Sequence, residues 1–405
     1  MTNKKILLAY SGGLDTTYCL VYLSKILGYE VHAVSVNTGG FLPHEVEKLK
    51  QRALSGGAAH FEVLDESSRY YQKVLRFLLF GNVLKNENYP LSVSAERIAQ
   101  ASALAAYAKT YGIQTVAHGS TGAGNDQVRF DMILQNLLPG VELITPIRDL
   151  KLSRQQELDF LNEQGVFFPE EKAHYSINKG LWGTSVGGKE TLNSWDTLPE
   201  EAWPTPCTKK EPEDIILRFY KGEPTALNEE EFSDPVNLIQ TLQQIAAPFG
   251  IGRDIHVGDT ILGIKGRVGF EAAAPIILIK AHHLLEKHVL TKSQLIWKDQ
   301  LAGFYGNNLH EGLYLDPVMR NLEAFLQSTQ EKVSGEVRVR LYPYRFELLG
   351  IFSEHDLMSA KFGTYGEENK AWSGDDVKGF IRIFGNQNSI YYQVNQEKNP
   401  YRREN

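Results

Sequence analysis

The chain has 405 residues, of which 42% are hydrophobic and 22% charged, and its formal net charge is −7. This composition is typical of a soluble globular protein of about two domains, and the acidic balance disfavours broad binding to nucleic acid. We expect neither a membrane span nor a signal peptide, because the apolar runs are short and the first is followed by glycines and an acid. Cys19 and Cys207 fit no disulfide framework or metal motif, which predicts a reducing, cytoplasmic environment.

Strand and helix patterns alternate through the first part of the chain. Apolar runs predict strands at 6–10, 30–36, 60–65 and 113–119, and periodic patterns predict helices at 14–27, 44–54, 70–80, 95–112 and 127–138. This α/β alternation predicts a parallel sheet covered by helices, whose ligands bind beyond the carboxyl ends of the strands. Two unusual turns, 11–15 and 119–126, fall at that edge.

The pattern changes after about residue 165. Segment 177–195 is rich in glycine and polar residues, 203–214 is a proline-rich charged loop, and strand-like runs occur at 214–222, 258–279 and 335–353. We therefore expect a nucleotide-binding domain at 1–165, an α+β domain at 166–365 and a short C-terminal tail at 366–405.

The turn after the first strand reads AYSGGLDTT (9–17). Gly12 and Gly13 allow tight closure and close approach of a ligand, while the following helix directs free N–H groups and a positive dipole end at it. Ser11, Thr16 and Thr17 add hydroxyl groups, so the turn predicts a phosphate site rather than an ordinary strand–helix connection. Ser-Gly-Gly-X-Asp in this position resembles the pyrophosphate loop of the ATP-pyrophosphatase superfamily.

Two other glycine-rich segments do not predict a nucleotide site. GTSVGGKE (183–190) has the spacing of a Walker loop, but Glu190 stands where magnesium binding needs Ser or Thr, and no strand precedes it. GAGNDQ (122–127) begins like a dinucleotide fingerprint but lacks the third glycine. No nicotinamide cofactor is expected.

The second turn, AHGSTGAGNDQVRF (117–130), carries more polar chemistry. Asn125 can donate and accept hydrogen bonds, and Arg129 supplies a forked cationic donor. Taken singly, Asp126 could be a helix cap and Arg129 a solvated helix residue. Taken together, these residues indicate a polar binding site.

The segments AYSGGLDT, HGSTGAGNDQVRF and YSINKGLWGTS occur in the order and spacing of the argininosuccinate synthases, and the resemblance extends to about residue 385. It implies a nucleotide-binding domain of the adenine nucleotide alpha hydrolase-like type, followed by a synthetase and multimerisation domain and a tail. It also implies a homotetramer that joins citrulline to aspartate in arginine biosynthesis. In that reaction ATP, with Mg²⁺, forms a citrullyl-adenylate and releases pyrophosphate, and aspartate then displaces AMP. No nucleic-acid or membrane partner is implied.

The resemblance assigns roles to individual positions and no metal ligand to the protein. Catalytic roles are implied for Asp15, Asp126 and Arg129. ATP binding is implied for Ala9, Tyr10, Ser11, Gly12, Gly13, Leu14, Asp15, Thr16, Thr17, Val36, His118 and Gly119. Citrulline binding is implied for Tyr89, Ser94, Asn125, Arg129, Ser176 and Ser185, and aspartate binding for Thr121, Asn125 and Asp126.

The sequence also departs from the family pattern. Ala123 replaces a usual Lys, and Val36 replaces an Ala at a nucleotide contact. Gly258 and Phe270 stand where the family has a Glu and a Tyr at the amino-acid end of citrulline. We hypothesise that the substrate is citrulline with an acylated α-amino group, which has no charge to pair and needs more volume. Alternatively, the adjacent Asp259 supplies the carboxylate, or the alignment is displaced by one residue.

Two other functions compete with the synthase. A tRNA-thiolating ATP pyrophosphatase also adenylates a carbonyl oxygen, but it needs reactive cysteines, and neither Cys19 in the first helix nor Cys207 in a loop is placed for that role. A nucleotide-binding regulator without catalysis would accommodate the changes at Ala123, Gly258 and Phe270.

Overall fold

The computed structural model describes residues 4–41, 43–168, 175–358 and 371–395. The chain divides into two compact units, Met1–His355 and Asp356–Asn405. The first unit includes both segments that the sequence analysis separates at residue 165, and the boundary there stays a prediction.

The N-terminal segment forms the predicted parallel sheet. Its strand order is β3-β2-β1-β4-β5, and every pairing is parallel. The order reverses between β1 and β4, which is where open α/β sheets bind their ligands. The strands are β1 (Lys5–Ala9), β2 (Glu30–Asn37), β3 (His60–Asp65), β4 (Thr115–Ala117) and β5 (Glu142–Ile144).

Helices cover this sheet close to the predicted positions. The predicted helix 14–27 becomes a π-helical turn over Tyr22–Ile26, and the predicted helix 70–80 contains another at Tyr71–Leu75. The α-helices of this segment are α1 (Leu14–Val21), α2 (Pro43–Ser55), α3 (Ser67–Tyr70), α4 (Arg76–Phe80), α5 (Ser92–Tyr111), α6 (Asp126–Leu137), α7 (Pro146–Leu150) and α8 (Arg154–Glu163).

Two antiparallel sheets follow, with strand orders β10-β9-β8-β13-β14 and β11-β12-β7-β6. Their strands are β6 (Ser176–Gly180), β7 (Gly183–Gly187), β8 (Glu213–Tyr220), β9 (Glu223–Leu227), β10 (Glu230–Glu231), β11 (Arg253–Asp259), β12 (Lys265–Glu271), β13 (Gly335–Tyr342) and β14 (Arg345–Phe352). Of the Walker-like segment, Gly183 begins β7 and Gly188 follows the end of that strand. A strand, β6, does precede the segment, but it pairs with β7 in a hairpin and leads into no phosphate loop.

The later helices are α9 (Pro235–Ala246), α10 (Ala273–Val289), α11 (Lys292–His310), α12 (Pro317–Thr329), α13 (Gly374–Phe384) and α14 (Asn386–Asn395), with short 3₁₀ turns at Lys189–Leu192, Glu200–Ala202, Ala247–Phe249 and Gln330–Lys332. The prediction of a strand-like run through residue 279 is wrong, because α10 begins at Ala273. The apolar residues of this helix are buried almost all round, and a short apolar run of that kind does not distinguish a helix from a buried strand.

One large hydrophobic core joins the segments. It contains Leu7 and Val34 of the parallel sheet together with Leu217 and Val339 of an antiparallel sheet. The sheets are thereby held around a shared core, which positions residues from the second half of the chain beside the carboxyl edge of the first sheet. Among the described helices, none combines the length and apolar character needed to cross a membrane.

Candidate active site

The first turn closes tightly between β1 and α1. Gly12 has a φ of +72°, and a Cβ there would lie 2.2 Å from Cδ2 of Leu49, so the backbone and its neighbour both favour glycine. The first intrahelical bond joins Thr17 N to Gly13 O at 2.9 Å. The amides of the first helical turn are therefore directed beyond the helix N-terminus, where an anion can accept their hydrogen bonds. The amides of Ser11 and Gly13 instead donate to hydroxyl groups within the turn.

Hydroxyl groups and a cation border this turn. The Oγ of Ser11 and Oγ1 of Thr16 lie 3.2 Å apart, and both residues reach solvent. The Thr17 hydroxyl, predicted as a ligand donor, is buried and donates to a carbonyl at the helix start at 2.7 Å. Arg52 of α2, which the sequence analysis missed, donates to the backbone of the turn. Its guanidinium adds positive charge that suits a polyphosphate.

The apolar residues predicted to bind ATP lie around the same strand ends. Tyr10, Leu14 and Val36 are buried, and Ala9 is half-buried at the end of β1. Their side chains support the turn by packing into the protein. The exposed backbone and hydroxyl groups are the atoms that remain accessible to a ligand.

The second turn lies beside the first. β4 pairs with β1, and a Cβ on Gly119, just beyond β4, would lie 3.2 Å from the backbone carbon of Asp15. Gln127 closes this turn by donating to Gly122 O at 2.6 Å. The nucleotide residues predicted in the two turns therefore share one edge of the sheet.

His118 is held by the protein on both ring nitrogens. Its Nε2 lies 2.7 Å from Oδ1 of Asp131, and its Nδ1 accepts from Ser120 N at 3.3 Å. Burial acts to raise the pKa of Asp131, but hydrogen bonds from His118 and Arg148 lower it. The buried His118 ring thus fixes the path of the second turn.

Glu157 of α8 is a buried carboxyl group beside the first turn. Its side chain is 2% exposed, and its Oε2 has no hydrogen-bond partner among the described residues. Burial, and then the neighbouring Asp15 carboxylate, raise the pKa of Glu157 to about 8. A proton on Glu157 therefore allows two carboxyl groups to stand together at this turn.

Glu157→Gln tests this pairing. Because the folded-state pKa of Glu157 is raised, its contribution to stability is full below the ordinary value of 4.5 and is lost as the pH rises through about 8. The neutral amide removes this loss. We expect the unfolding free energy of the variant, relative to wild type, to increase between pH 5 and pH 8.5 by at most about 1.4 kcal/mol per pH unit. The melting temperature of the variant, relative to wild type, should rise over the same pH range.

Glu163→Gln, at the exposed end of the same helix, serves as the matched control, and thermal melts at both pH values give the comparison. If wild type and Glu157→Gln show parallel pH profiles, Glu157 does not carry the proton.

Asp126, at the start of α6, joins two buried arginines. Its Oδ2 accepts from Nε of Arg97 at 2.9 Å, and its Oδ1 accepts from Nη1 of Arg129 at 3.0 Å. Burial acts to raise the pKa of Asp126, but the two guanidinium groups lower it. The cap role considered for Asp126 is wrong, because Asn125 is the N-cap residue and Asp126 bonds to side chains. Each carboxylate oxygen keeps a lone pair for a substrate donor.

Arg129 is buried, so the solvated helix role is also wrong. Its Nε donates to His310 O at 2.8 Å, and its Nη2 lies 3.2 Å from Nδ1 of His310. The Oγ of Ser94 lies 3.0 Å from the same ring nitrogen. Burial, and then Arg129, lower the pKa of His310 to about 3. A neutral imidazole therefore joins two predicted citrulline residues.

The other buried residues that are predicted to bind citrulline are Tyr89 and Ser185. Tyr89 stacks on His256 with ring centroids 4.7 Å apart and packs against Phe270 at 5.3 Å. Ser185 of β7 is the register partner of Phe270. Phe270, one of the positions at which the sequence departs from the family pattern, therefore packs directly against Tyr89.

Gly258 does not face an open space. A Cβ there would lie 2.6 Å from Nε2 of His256, and the Nδ1 of that buried ring has no partner among the described residues. The Asp259 carboxylate lies 2.6 Å from Lys265 Nζ and is 68% exposed. In this arrangement an imidazole, and not the Asp259 carboxylate, lies next to Gly258.

Asn125 connects the second turn to the β11–β12 hairpin, because its Oδ1 accepts from Ile261 N at 2.8 Å. Thr121 and Ala123 are exposed on that turn, and Ser176 is exposed at the start of β6. The structure thus brings together most of the predicted residues, while these three lie at the solvent-exposed margin.

Sequence reasoning missed several members of the site. Arg97 also donates from Nη2 to Asn178 Oδ1 at 3.0 Å, and so ties α5, α6 and β6 together. The sequence feature that could have indicated Arg97 is the charged pair Glu96-Arg97 within an alanine-rich helix. His256 and His310 have no indicative sequence neighbours, because only the tertiary fold brings them to Tyr89 and Arg129.

The comparisons with known proteins match this architecture. The family model described as the arginosuccinate synthase N-terminal HUP domain matches residues 5–167, and the C-terminal domain model matches residues 175–391. The argininosuccinate synthase of Dictyoglomus turgidum is 36% identical over 394 residues, covering 96% of this chain and 98% of that protein.

Other relatives give the same result. The argininosuccinate synthase of Methanocaldococcus jannaschii is 34% identical, with 96% of this chain and 98% of that protein covered. That of Bacillus cytotoxicus is 36% identical, with 98% and 99% covered. The chain therefore belongs to the argininosuccinate synthase family.

Proposed function

We propose that this protein is an ATP-dependent ligase that joins citrulline, free or acylated on its α-nitrogen, to aspartate in arginine biosynthesis. One observation carries the proposal. The first turn (11–16), which we expect to bind the phosphates, lies beside a polar cluster formed by Asp126, Arg129, Ser94 and His310. Family membership supports this reaction.

The first half-reaction activates the ureido group. ATP enters with Mg²⁺ as a single substrate, and its phosphates lie at the amides of the Ser11–Thr16 turn. The ureido oxygen attacks the α-phosphorus, and pyrophosphate leaves as the P–O bond breaks. The directed amides and the Arg52 guanidinium stabilise the growing negative charge without having to reorganise. Arg129 holds the ureido group of citrulline in line with the α-phosphorus. Positioning of this kind supplies a large share of the rate enhancement.

The second half-reaction forms the carbon–nitrogen bond. Asp126 accepts a hydrogen bond from the ammonium of aspartate and orients it towards the activated carbon. After the ammonium has released a proton to solvent, its nitrogen forms a bond to that carbon. The bond between the carbon and the former ureido oxygen then breaks, and AMP leaves with that oxygen. Arg97 and Arg129 fix both oxygens of Asp126, so the acceptor is oriented before the substrate binds.

A tRNA-thiolating enzyme is disfavoured by the state of its cysteines. Cys19 is fully buried in α1 and burial raises the pKa of its thiol, which disfavours the reactive thiolate. Both cysteines are free, as suits the reducing cytoplasm that we propose for this enzyme.

Pyrophosphate release from ATP, with each amino acid omitted in turn, tests the function. Citrulline, N-acetylcitrulline and N-succinylcitrulline are offered separately, each with aspartate, and the product is identified by mass spectrometry. We expect release that depends on a citrulline, and a ligated product that appears only with aspartate. Release that ignores every amino acid, or nucleotide binding without turnover, would support the non-catalytic regulator instead.

We further propose that the protein is a homotetramer in which the tail contributes an interface. The helix α13 carries Val377, Phe380, Ile381 and Phe384 at spacings i, i+3, i+4 and i+7, and these side chains are between 39% and 78% exposed. Such an apolar stripe is normally covered in a soluble protein.

Light scattering at micromolar concentration should therefore give a tetramer for wild type and a smaller species for Phe380→Asp. Lys378→Asp, which changes a charge outside the stripe, should retain the wild-type mass. A wild-type monomer would rule out the assembly, and an unchanged mass in Phe380→Asp would rule out this interface.

A further inference from the structure

A cluster of two histidines and a carboxylate lies at the opposite edge of the parallel sheet from the two turns. Glu30 is the first residue of β2, and His32 follows on the same face two positions later. His60 is the first residue of β3 and the register partner of His32. The three side chains are thus brought together by regular strand pairing.

The distances in this cluster match a shared metal ion better than hydrogen bonds. Nε2 of His32 and Nε2 of His60 each lie 3.6 Å from the same oxygen, Oε1 of Glu30. That separation exceeds the usual hydrogen-bond range. Two ligand atoms bound to one tetrahedral ion at ~2.0–2.1 Å stand about 3.4 Å apart. All three donor atoms lie within 4.8 Å of one another.

His32 is already oriented as a metal ligand would be. Its Nδ1 lies 3.1 Å from the hydroxyl of Tyr107, while its Nε2 is buried and has no hydrogen-bond partner among the described residues. Metal-bound histidines commonly use one nitrogen for the ion and fix the other by a hydrogen bond. Burial, and then His60, lower the pKa of His32, which favours the neutral imidazole that binds metal.

We propose that Glu30, His32 and His60 bind a divalent late transition-metal ion such as zinc, separately from the ligase site. Two imidazoles and a carboxylate are suitable ligands for this class of ion. Glu30 and His60 are 31% and 58% exposed, so water has access to the fourth position. The ion would connect β2 to β3 and, through Tyr107, to α5, the helix that carries Ser94 and Arg97.

Zinc titration of the chelator-treated full-length protein tests the proposal. Isothermal calorimetry should give one equivalent bound to wild type, and His60→Ala and Glu30→Gln should weaken that binding at least about tenfold. His60 is exposed, so its loss leaves the fold intact. His44→Ala, which removes an exposed histidine outside the cluster, should bind as wild type does.

Two further readouts identify the ligand set. Cobalt(II) in place of zinc should give the visible absorption of a tetrahedral site in wild type and lose it in His60→Ala. Excess zinc should raise the melting temperature of wild type more than that of His60→Ala. Equal zinc affinity in these two proteins, or a wild type that binds no stoichiometric zinc, would overturn the proposal.

Discussion

Asp126→Asn should lower the rate of ligation about a thousandfold, equivalent to roughly 4 kcal/mol of transition-state stabilisation. The amide keeps the size of the side chain but loses the negative charge that we propose faces the aspartate ammonium. It also places an NH₂ group against the N–H donors of Arg97 or Arg129, in place of one of the bonds at 2.9 and 3.0 Å. Steady-state kinetics with varied aspartate measure the loss.

The same variant distinguishes a chemical role from a structural one. If Asp126 acts mainly on aspartate, citrulline-dependent exchange of pyrophosphate into ATP should survive better than overall ligation. The matched control is Asp214→Asn, because Asp214 also accepts two bonds from one arginine, Arg340, but on a distant sheet. We expect the control to retain its activity. A folded Asp126→Asn protein with ligation near the wild-type rate would contradict the assigned role.

The sequence was sufficient to predict four of the five strands of the parallel sheet and the position of its ligand edge, but β5 was missed. Its strands are short apolar runs, and the turn at Gly12 needs a left-handed backbone that local residues specify. The helix α10 was not recognised, because its apolar residues are buried almost all round and so show neither helical nor strand periodicity. Sequence patterns predict a helix or a strand from the alternation of polar and apolar faces. They do not distinguish the two where all faces of the element are buried.

The site was predictable only where its residues lie in compact motifs. Asn125, Asp126 and Arg129 are within five positions of one another, and their joint occurrence carried the prediction. Arg97 and His310 are remote in sequence and reach Asp126 and Arg129 through packing of α5 and α11. A single sequence does not indicate that His310 is a neutral buried imidazole, because its pKa depends on the burial and the Arg129 charge that the fold creates.

We propose that substrate choice at the amino-acid end of citrulline depends on Gly258 and its surroundings. The family carboxylate would pair with the substrate ammonium, but here the neighbouring group is the buried ring of His256. Burial, and then Lys85, lower the pKa of His256. A neutral imidazole whose Nδ1, unpartnered among the described residues, carries the proton can donate to an uncharged acyl carbonyl but supplies no negative charge for an ammonium. The part of the hypothesis that relied on extra volume at Gly258 is weakened, because His256 occupies that space.

We therefore expect kcat/KM for N-acetyl- or N-succinylcitrulline to exceed that for free citrulline. Asp259→Asn separates this proposal from the alternative that Asp259 supplies the carboxylate. Because the Asp259 carboxylate pairs with Lys265 at 2.6 Å, its loss should leave the ratio of the two specificity constants unchanged.

The combined change Gly258→Glu, His256→Ala and Phe270→Tyr restores the family groups with room for the new side chain, and should shift the preference towards free citrulline. If free citrulline has a higher specificity constant than both acyl forms in wild type, and Asp259→Asn lowers it, the carboxylate comes from Asp259 and the acyl proposal fails.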